Sequence, residues 1–170
     1  TTKHRLFILH LIGSHPLFHR RLEQSVHYNY YNENISAYIQ TIEQTDKLLK
    51  EVYELLQAQK NSFSLIYFSD HGLETKDRNT PNATLAHGAS SKSGYRVPFI
   101  LMNSDDIEHK KVKINKSGFN FLDGYAHWLG IKEKSLKNNY DFLSTTPDTL
   151  KIYGGMLFDE LKEDDVLKSR

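Results

Sequence analysis

Apolar positions in this chain fall mostly in short continuous blocks separated by polar stretches, and one segment carries a sustained helical period. Leu6 to Ile12 is apolar except for His10 and closes at Gly13-Ser14. Such a run, bounded by turn residues, predicts a buried strand of a parallel sheet. From Asn34 onward, Ile35, Tyr38, Ile39, Ile42, Leu49, Val52 and Leu56 recur at helical spacing, and Leu48 and Leu55 widen the stripe. They predict one amphipathic helix of about six turns, at about 3.6 residues per turn. Asn61-Ser62 ends it. Ser64 to Phe68 predicts a second buried strand, and Val97 to Met102 a third, with Pro98 suited to a strand start. Between them, Glu74 to Gly94 is polar for about 20 residues without a period, which predicts a functional or disordered loop. Phe119 to Leu129 predicts a second helix, with Phe119, Leu122, Tyr125, Ala126 and Leu129 on one face and Gly130 as its stop. Ile152, Tyr153, Met156, Leu157 and Phe158 form a last apolar cluster. Residues 160–170 are charged and expected in solvent. This order is the rhythm of an α/β fold with a mainly parallel sheet flanked by helices. In such sheets, ligands bind beyond the carboxyl ends of the strands.

Composition narrows the classes. The 170 residues make one domain or a large piece of one. With 38% apolar and 25% charged residues there is enough for a core and a wet surface. A formal net charge of +1 gives no support to nucleic-acid binding. Cysteine is absent, so disulfides and thiolate metal sites are excluded. No apolar run approaches the roughly 20 residues of a membrane span, and no signal-peptide pattern is present. The chain reaches a strand-like block almost at once, which reads either as a piece cut from a longer protein or as a short natural N-terminal strand.

Two polar clusters follow predicted strands: Gly13-Ser14-His15 and Asp70-His71-Gly72. A carboxylate and an imidazole are both good zinc ligands. At a strand end, neighbouring side chains are free to converge, and Gly72 lets other backbone pass close. Read alone, Asp-His-Gly fits a turn capped by Asp70 better than a site. His15 at the other strand end and His87-Gly88 in the polar loop change that balance, because histidines bind phosphoryl oxygens, transfer protons or hold metal. His10, inside an apolar run, reads as a core histidine or one supporting a ligand from behind. His19, His27 and His109 read as exposed, and His127 as structural or exposed. Lys92, Tyr95 and Arg96 read as a solvated loop end that has the charge to neutralise a phosphate. Glu43, Asp46, Lys47 and Lys50 form i,i+4 pairs on a wet helix face.

Four segments in order resemble the lipopolysaccharide phosphoethanolamine transferases of the alkaline phosphatase and sulfatase superfamily. His10-Leu11-Ile12-Gly13-Ser14-His15 is similar to H-x-x-G-S-H. Tyr38 to Asp46 is similar to a Y-D-N-[ST]-[IV]-x-Y-T-D helix. Ser69-Asp70-His71-Gly72, His87-Gly88 and Val97-Pro98 match S-D-H-G, L-H-G and V-P. Asn120 to Gly130 loosely resembles N-x-F-H-T-L-L-G. The resemblance covers most of residues 6–131, while about 132–170 match weakly. It implies an alkaline phosphatase-like, sulfatase-like α/β fold, of which residues 1–170 are the C-terminal part of one catalytic domain. It implies Asp70 and His71 as ligands of a catalytic zinc, and His15 and His87 as catalytic and substrate-binding residues at the transferred phosphoryl group or at a second metal position. His10 would support them. The donor would be phosphatidylethanolamine and the acceptor lipopolysaccharide, through lipid A or a core sugar, at the periplasmic face of the bacterial inner membrane. Nucleic acid has no part in it. The resemblance implies that the family's threonine nucleophile, its carboxylate zinc ligand and its membrane helices belong to an earlier part of the chain, so this stretch is expected to be inactive alone. Ile39-Gln40, Gln44 and Leu73-Glu74 depart from the family pattern and suggest a divergent branch acting on a core sugar or another glycan. A sulfatase, phosphodiesterase or phosphoglycerol transferase of the same superfamily, or a degenerate non-catalytic module, are the alternatives.

Overall fold

The structure, a computed structural model, describes residues 4–137, 140–152 and 154–164. These divide into two compact units, residues 4–106 with 163–164, and residues 107–162.

The first unit is organised by the helix α1, Glu33–Ala58. Asn32 caps it, its side-chain oxygen accepting the Ile35 N–H at 2.9 Å. The same side chain donates to the carbonyls of Ala83 (2.6 Å) and Pro81 (3.1 Å). Only the first turns of α1 are buried, at Ile35, Ser36, Ala37, Gln40 and Thr41. They pack with Phe18, whose ring lies 5.2 Å from that of Tyr38. The later part of the apolar stripe is at most half-buried, and Leu55 is exposed. On the wet face Glu43 pairs with Lys47 at 3.0 Å, as expected, whereas Lys50 turns to Glu54 at 3.8 Å.

Strand β1, Ser64–Phe68, lies where the apolar block predicts it and is half-buried. Strands β2, Glu74–Lys76, and β3, Thr84–Ala86, form a hairpin inside the stretch expected to be a loop. A 3-10 turn, Lys92–Gly94, leads on to β4, Phe99–Asn103.

The expectation of a mainly parallel sheet requires correction. Both described sheets are two-stranded and antiparallel: β1 with β4, in the register Ser64 to Asn103 and Phe68 to Phe99, and β2 with β3. A parallel pair needs a crossover, usually helical. The segment between β1 and β4 holds a hairpin and a 3-10 turn in place of a helix, and the chain comes back in the opposite direction. Leu6 to Ile12 is likewise not a buried strand. It is irregular and exposed, with no ladder to a neighbour among the described residues. An apolar run meets one condition for burial, but a strand also needs an edge to pair with.

In the second unit α2, Phe121–Trp128, follows a 3-10 turn, and Gly130 at φ 72° ends it as expected. Its buried face is Gly124 and Ala126, with Gly124 pressed on Phe142; Phe119 and Leu122, expected on that face, are exposed. Asp148 is the polar hub. It accepts from Tyr140 Oη (2.6 Å), Ser117 N–H (2.7 Å) and Asn120 Nδ2 (3.2 Å). Burial alone would raise its pKa, but these bonds outweigh it and hold the carboxyl below its usual range. Of the last apolar cluster, Ile152 and Phe158 are buried and Met156 and Leu157 exposed, while Tyr153 lies outside the described residues.

Candidate functional site

The end of β1 carries the candidate ligands. Ser69 Oγ donates to the His71 carbonyl at 2.9 Å, which tightens the turn after Phe68. Asp70 Oδ1 accepts the His71 backbone N–H at 3.0 Å. His71 Nδ1 lies 2.9 Å from the Gly72 carbonyl, and since a carbonyl only accepts, Nδ1 bears the proton. In the neutral ring this tautomer places the lone pair on Nε2, which stands 3.8 Å from Asp70 Oδ1. The Asp70 side chain is 86% exposed and the His71 side chain 35%.

His87, just past β3, brings its ring to the same place. The His71 and His87 ring centroids are 4.1 Å apart, edge to face. The pairing depends on close backbone contacts. Gly72 N–H donates to the Gly94 carbonyl at 2.9 Å, and a Cβ on Gly72 would collide with the Ser93 carbonyl. Glu74, at the start of β2, is 7% exposed and holds the residues after His87. Its carboxylate accepts the backbone N–H groups of Ser91 (2.6 Å) and Ser90, and the Ser90 hydroxyl at 2.9 Å. Burial pushes the Glu74 carboxyl up, but the hydrogen bonds from Ser91 and Ser90 win and leave it below its ordinary value.

Sequence reasoning missed two more carboxylates, placed in a charged tail expected to be solvated. Glu163 takes a bidentate contact from Arg96 (2.7 and 2.9 Å) and a bond from Lys92 at 3.0 Å. Asp164 accepts the Ser93 N–H at 3.0 Å and sits 3.6 Å from Arg78, with both side chains mostly buried. Arg78, Arg96, Glu163, Asp164, Tyr38 and Gly72 are among the residues lining a cavity of about 320 Å³. Residues 165–170, the rest of that tail, lie outside the described residues.

The other candidates are not drawn in. His15 is exposed, and its carbonyl accepts from Arg21 Nε at 2.9 Å. Among the described residues no hydrogen bond, ion pair or ring contact links His15 to Asp70, His71 or His87. His10 is exposed, so the reading of it as a core histidine is corrected: the run that would bury it is itself uncovered. His27 is exposed, as its sequence setting predicts, and lies 3.2 Å from Glu43.

The profile of the family described as Sulfatase matches residues 1–131. The chain belongs to the sulfatase family. Among its relatives, phosphoethanolamine transferase OpgE of Escherichia coli (strain K12) is 39% identical over 140 residues, covering 82% of this chain and 27% of that protein. A putative phosphoethanolamine transferase of Haemophilus influenzae is 40% identical over 83 residues, covering 41% and 16%. The putative transferase YhbX of Escherichia coli (strain K12) is 34% identical over 106 residues, covering 61% and 19%. The chain therefore spans roughly a quarter or less of the length of these relatives. No solved structure matches. Sulfatase-family membership places the chain in the alkaline phosphatase-like α/β class.

Sulfatase superfamily members are typically metal-dependent. The donors at the end of β1 fit a metal in chemistry and in spacing. Two ligands about 2.0–2.2 Å from a tetrahedral zinc lie about 3.3–3.6 Å apart, close to the 3.8 Å between Asp70 Oδ1 and His71 Nε2. The Nδ1–H bond to a backbone carbonyl is the outer contact that fixes a ligating imidazole. Among the described residues no three His, Cys, Asp or Glu side chains form a group that could hold a metal ion.

Proposed function

We propose that this chain carries part of the active centre of a zinc-dependent transferase that moves phosphoethanolamine from phosphatidylethanolamine to a lipopolysaccharide or another glycan acceptor. The observation that carries the reading is the state of His71. Its Nδ1 is committed to the Gly72 carbonyl, which leaves Nε2 as the nitrogen available to a metal beside the Asp70 carboxylate, and the His87 ring stands against it. Similarity to a phosphoethanolamine transferase over most of the chain, and to a putative one over 41% of it, supports the choice of transferred group.

Asp70 and His71 would hold the zinc, which when bound lowers the pKa of a hydroxyl nucleophile and offsets charge on phosphoryl oxygens. Asp70 adds a negative charge and His71 a neutral nitrogen. His87, protonated, would donate to a phosphoryl oxygen as charge builds there, or return a proton to the departing alkoxide. His15 is proposed for the same phosphoryl group in the whole protein. The nucleophile, the remaining ligand and the membrane attachment at the periplasmic face of the inner membrane are assigned to the longer protein. No helix among the described residues is long and apolar enough to cross a membrane.

The test is headgroup transfer from a fluorescent phosphatidylethanolamine by the full-length protein. Asp70→Ala and His71→Ala should each lower turnover by about 100-fold or more, within the span that an activated nucleophile and charge stabilisation supply. His10→Ala should leave most of it. Near-normal turnover in either ligand variant would remove the reading.

A further inference from the structure

We propose that Glu74 is the positioning residue that sets His87 against His71. The proposal rests on reading His87 as a residue of the transfer site. In the hairpin register Glu74 lies opposite Ala86, the residue before His87. Its buried carboxylate therefore sits beneath the exit of β3. By accepting the Ser91 and Ser90 amides and the Ser90 hydroxyl, it folds residues 87–91 back over the strand end.

Three glycines make the fold-back sterically possible. A Cβ on Gly88 would collide with the Glu74 carboxylate, and one on Gly94 with the Gly88 carbonyl. Gly94 in turn accepts the Gly72 N–H at 2.9 Å. The segment bearing Asp70 and His71 is thus docked on Gly94, and the segment bearing His87 is docked on Glu74. The result is the ring separation of 4.1 Å between His71 and His87.

A chemical role for Glu74 makes the opposite demands. Three donors already occupy a carboxylate that is 7% exposed, so it is not placed to take a proton from a substrate or to ligate an ion. What the fold-back needs is an acceptor at that reach, with or without a full charge. A glutamine offers it: Oε1 takes both amides, and Nε2 donates to the Ser90 hydroxyl. An aspartate keeps the charge but falls one methylene short.

The experiment uses the full-length protein and two readouts, transfer of phosphoethanolamine and hydrogen exchange at the Ser90 and Ser91 amides, since the His87 ring itself is exposed. Glu74→Ala and Glu74→Asp should speed that exchange by about tenfold, the effect of losing one or two net hydrogen bonds. Either should lower transfer in the wild-type background and lower it no further in the His87→Ala background. Glu74→Gln should stay near wild type in exchange and keep transfer within about fivefold, since only the charge-assisted part of the bonds is lost. The proposal is overturned if Glu74→Asp or Glu74→Ala leaves the exchange unchanged, or lowers transfer further in the His87→Ala background. It is equally overturned if Glu74→Gln abolishes transfer with the two amides still protected, because Glu74 would then act chemically. The exchange readout does not require transfer. Expected exchange together with full activity of Asp70→Ala would contradict the functional reading while leaving the role of Glu74 intact.

Discussion

Glu74 and Gln40 show how a single buried polar group governs this molecule. Gln40 is buried, and both ends of its amide are used: Oε1 accepts the His27 N–H at 3.0 Å and Nε2 donates to the Ser25 carbonyl at 3.1 Å. It stands at a position where the sequence departs from the family pattern, and its role there is to pin the loop before α1. Glu74 has a pH consequence. Its carboxyl is held below its unfolded value of about 4.3, so folding favours the ionised form. The stabilisation is complete above that unfolded value and is lost as pH falls through the lower folded one. Wild-type protein should therefore lose protection of the Ser90 and Ser91 amides in hydrogen exchange on acidification below about pH 4.3. Glu74→Gln should lack that acid-dependent component. Equal pH profiles in the two proteins would contradict the account.

At the scale of elements, what was legible followed from local pattern. The long helical period fixed α1, the apolar block fixed β1, and Gly130 fixed the end of α2, because period, run length and stop residue are properties of neighbours in sequence. Sheet direction was not legible, since it depends on what connects β1 to β4. The hairpin β2–β3 was hidden in a polar stretch whose partners bond across it: Glu74 with Ser90 and Ser91, and Asn32 with Ala83. Of the site, Asp70, His71 and His87 were marked by residue type at a strand end or beside a glycine. Glu163 and Asp164 were not, because a carboxylate in a charged tail looks solvated until Arg78, Lys92 and Arg96 are found around it. Asn32 joins two elements and offers a test. Asn32→Ala removes a cap worth about 1–2 kcal/mol. Hydrogen exchange at Ile35 should quicken by about tenfold or more. Asn32→Asp should keep the cap while turning a carboxylate toward the Pro81 and Ala83 carbonyls, so that the hairpin loosens and the helix start does not. Unchanged exchange at Ile35 in Asn32→Ala would contradict the assignment.

At the scale of the whole molecule, exposed apolar surface is prominent. Phe7 is 77% exposed, Ile8 79% and Ile12 69%, in a segment whose composition is that of a core strand. A contiguous apolar stretch of this kind leads to association when left open to water. The 170-residue chain on its own is expected to self-associate, and replacing Phe7 and Ile8 together with lysine should shift it toward monomer in light scattering. A monomeric wild-type chain would contradict that expectation. The central claim concerns the opposite feature, a small polar centre built from Asp70, His71 and His87. The measurement that reaches it most directly is the zinc content of purified full-length protein, determined by elemental analysis for wild type, Asp70→Ala, His71→Ala and Glu74→Gln. The account predicts bound zinc in wild type and in Glu74→Gln, and loss of most of it in the other two. Full zinc content in Asp70→Ala or His71→Ala would contradict it.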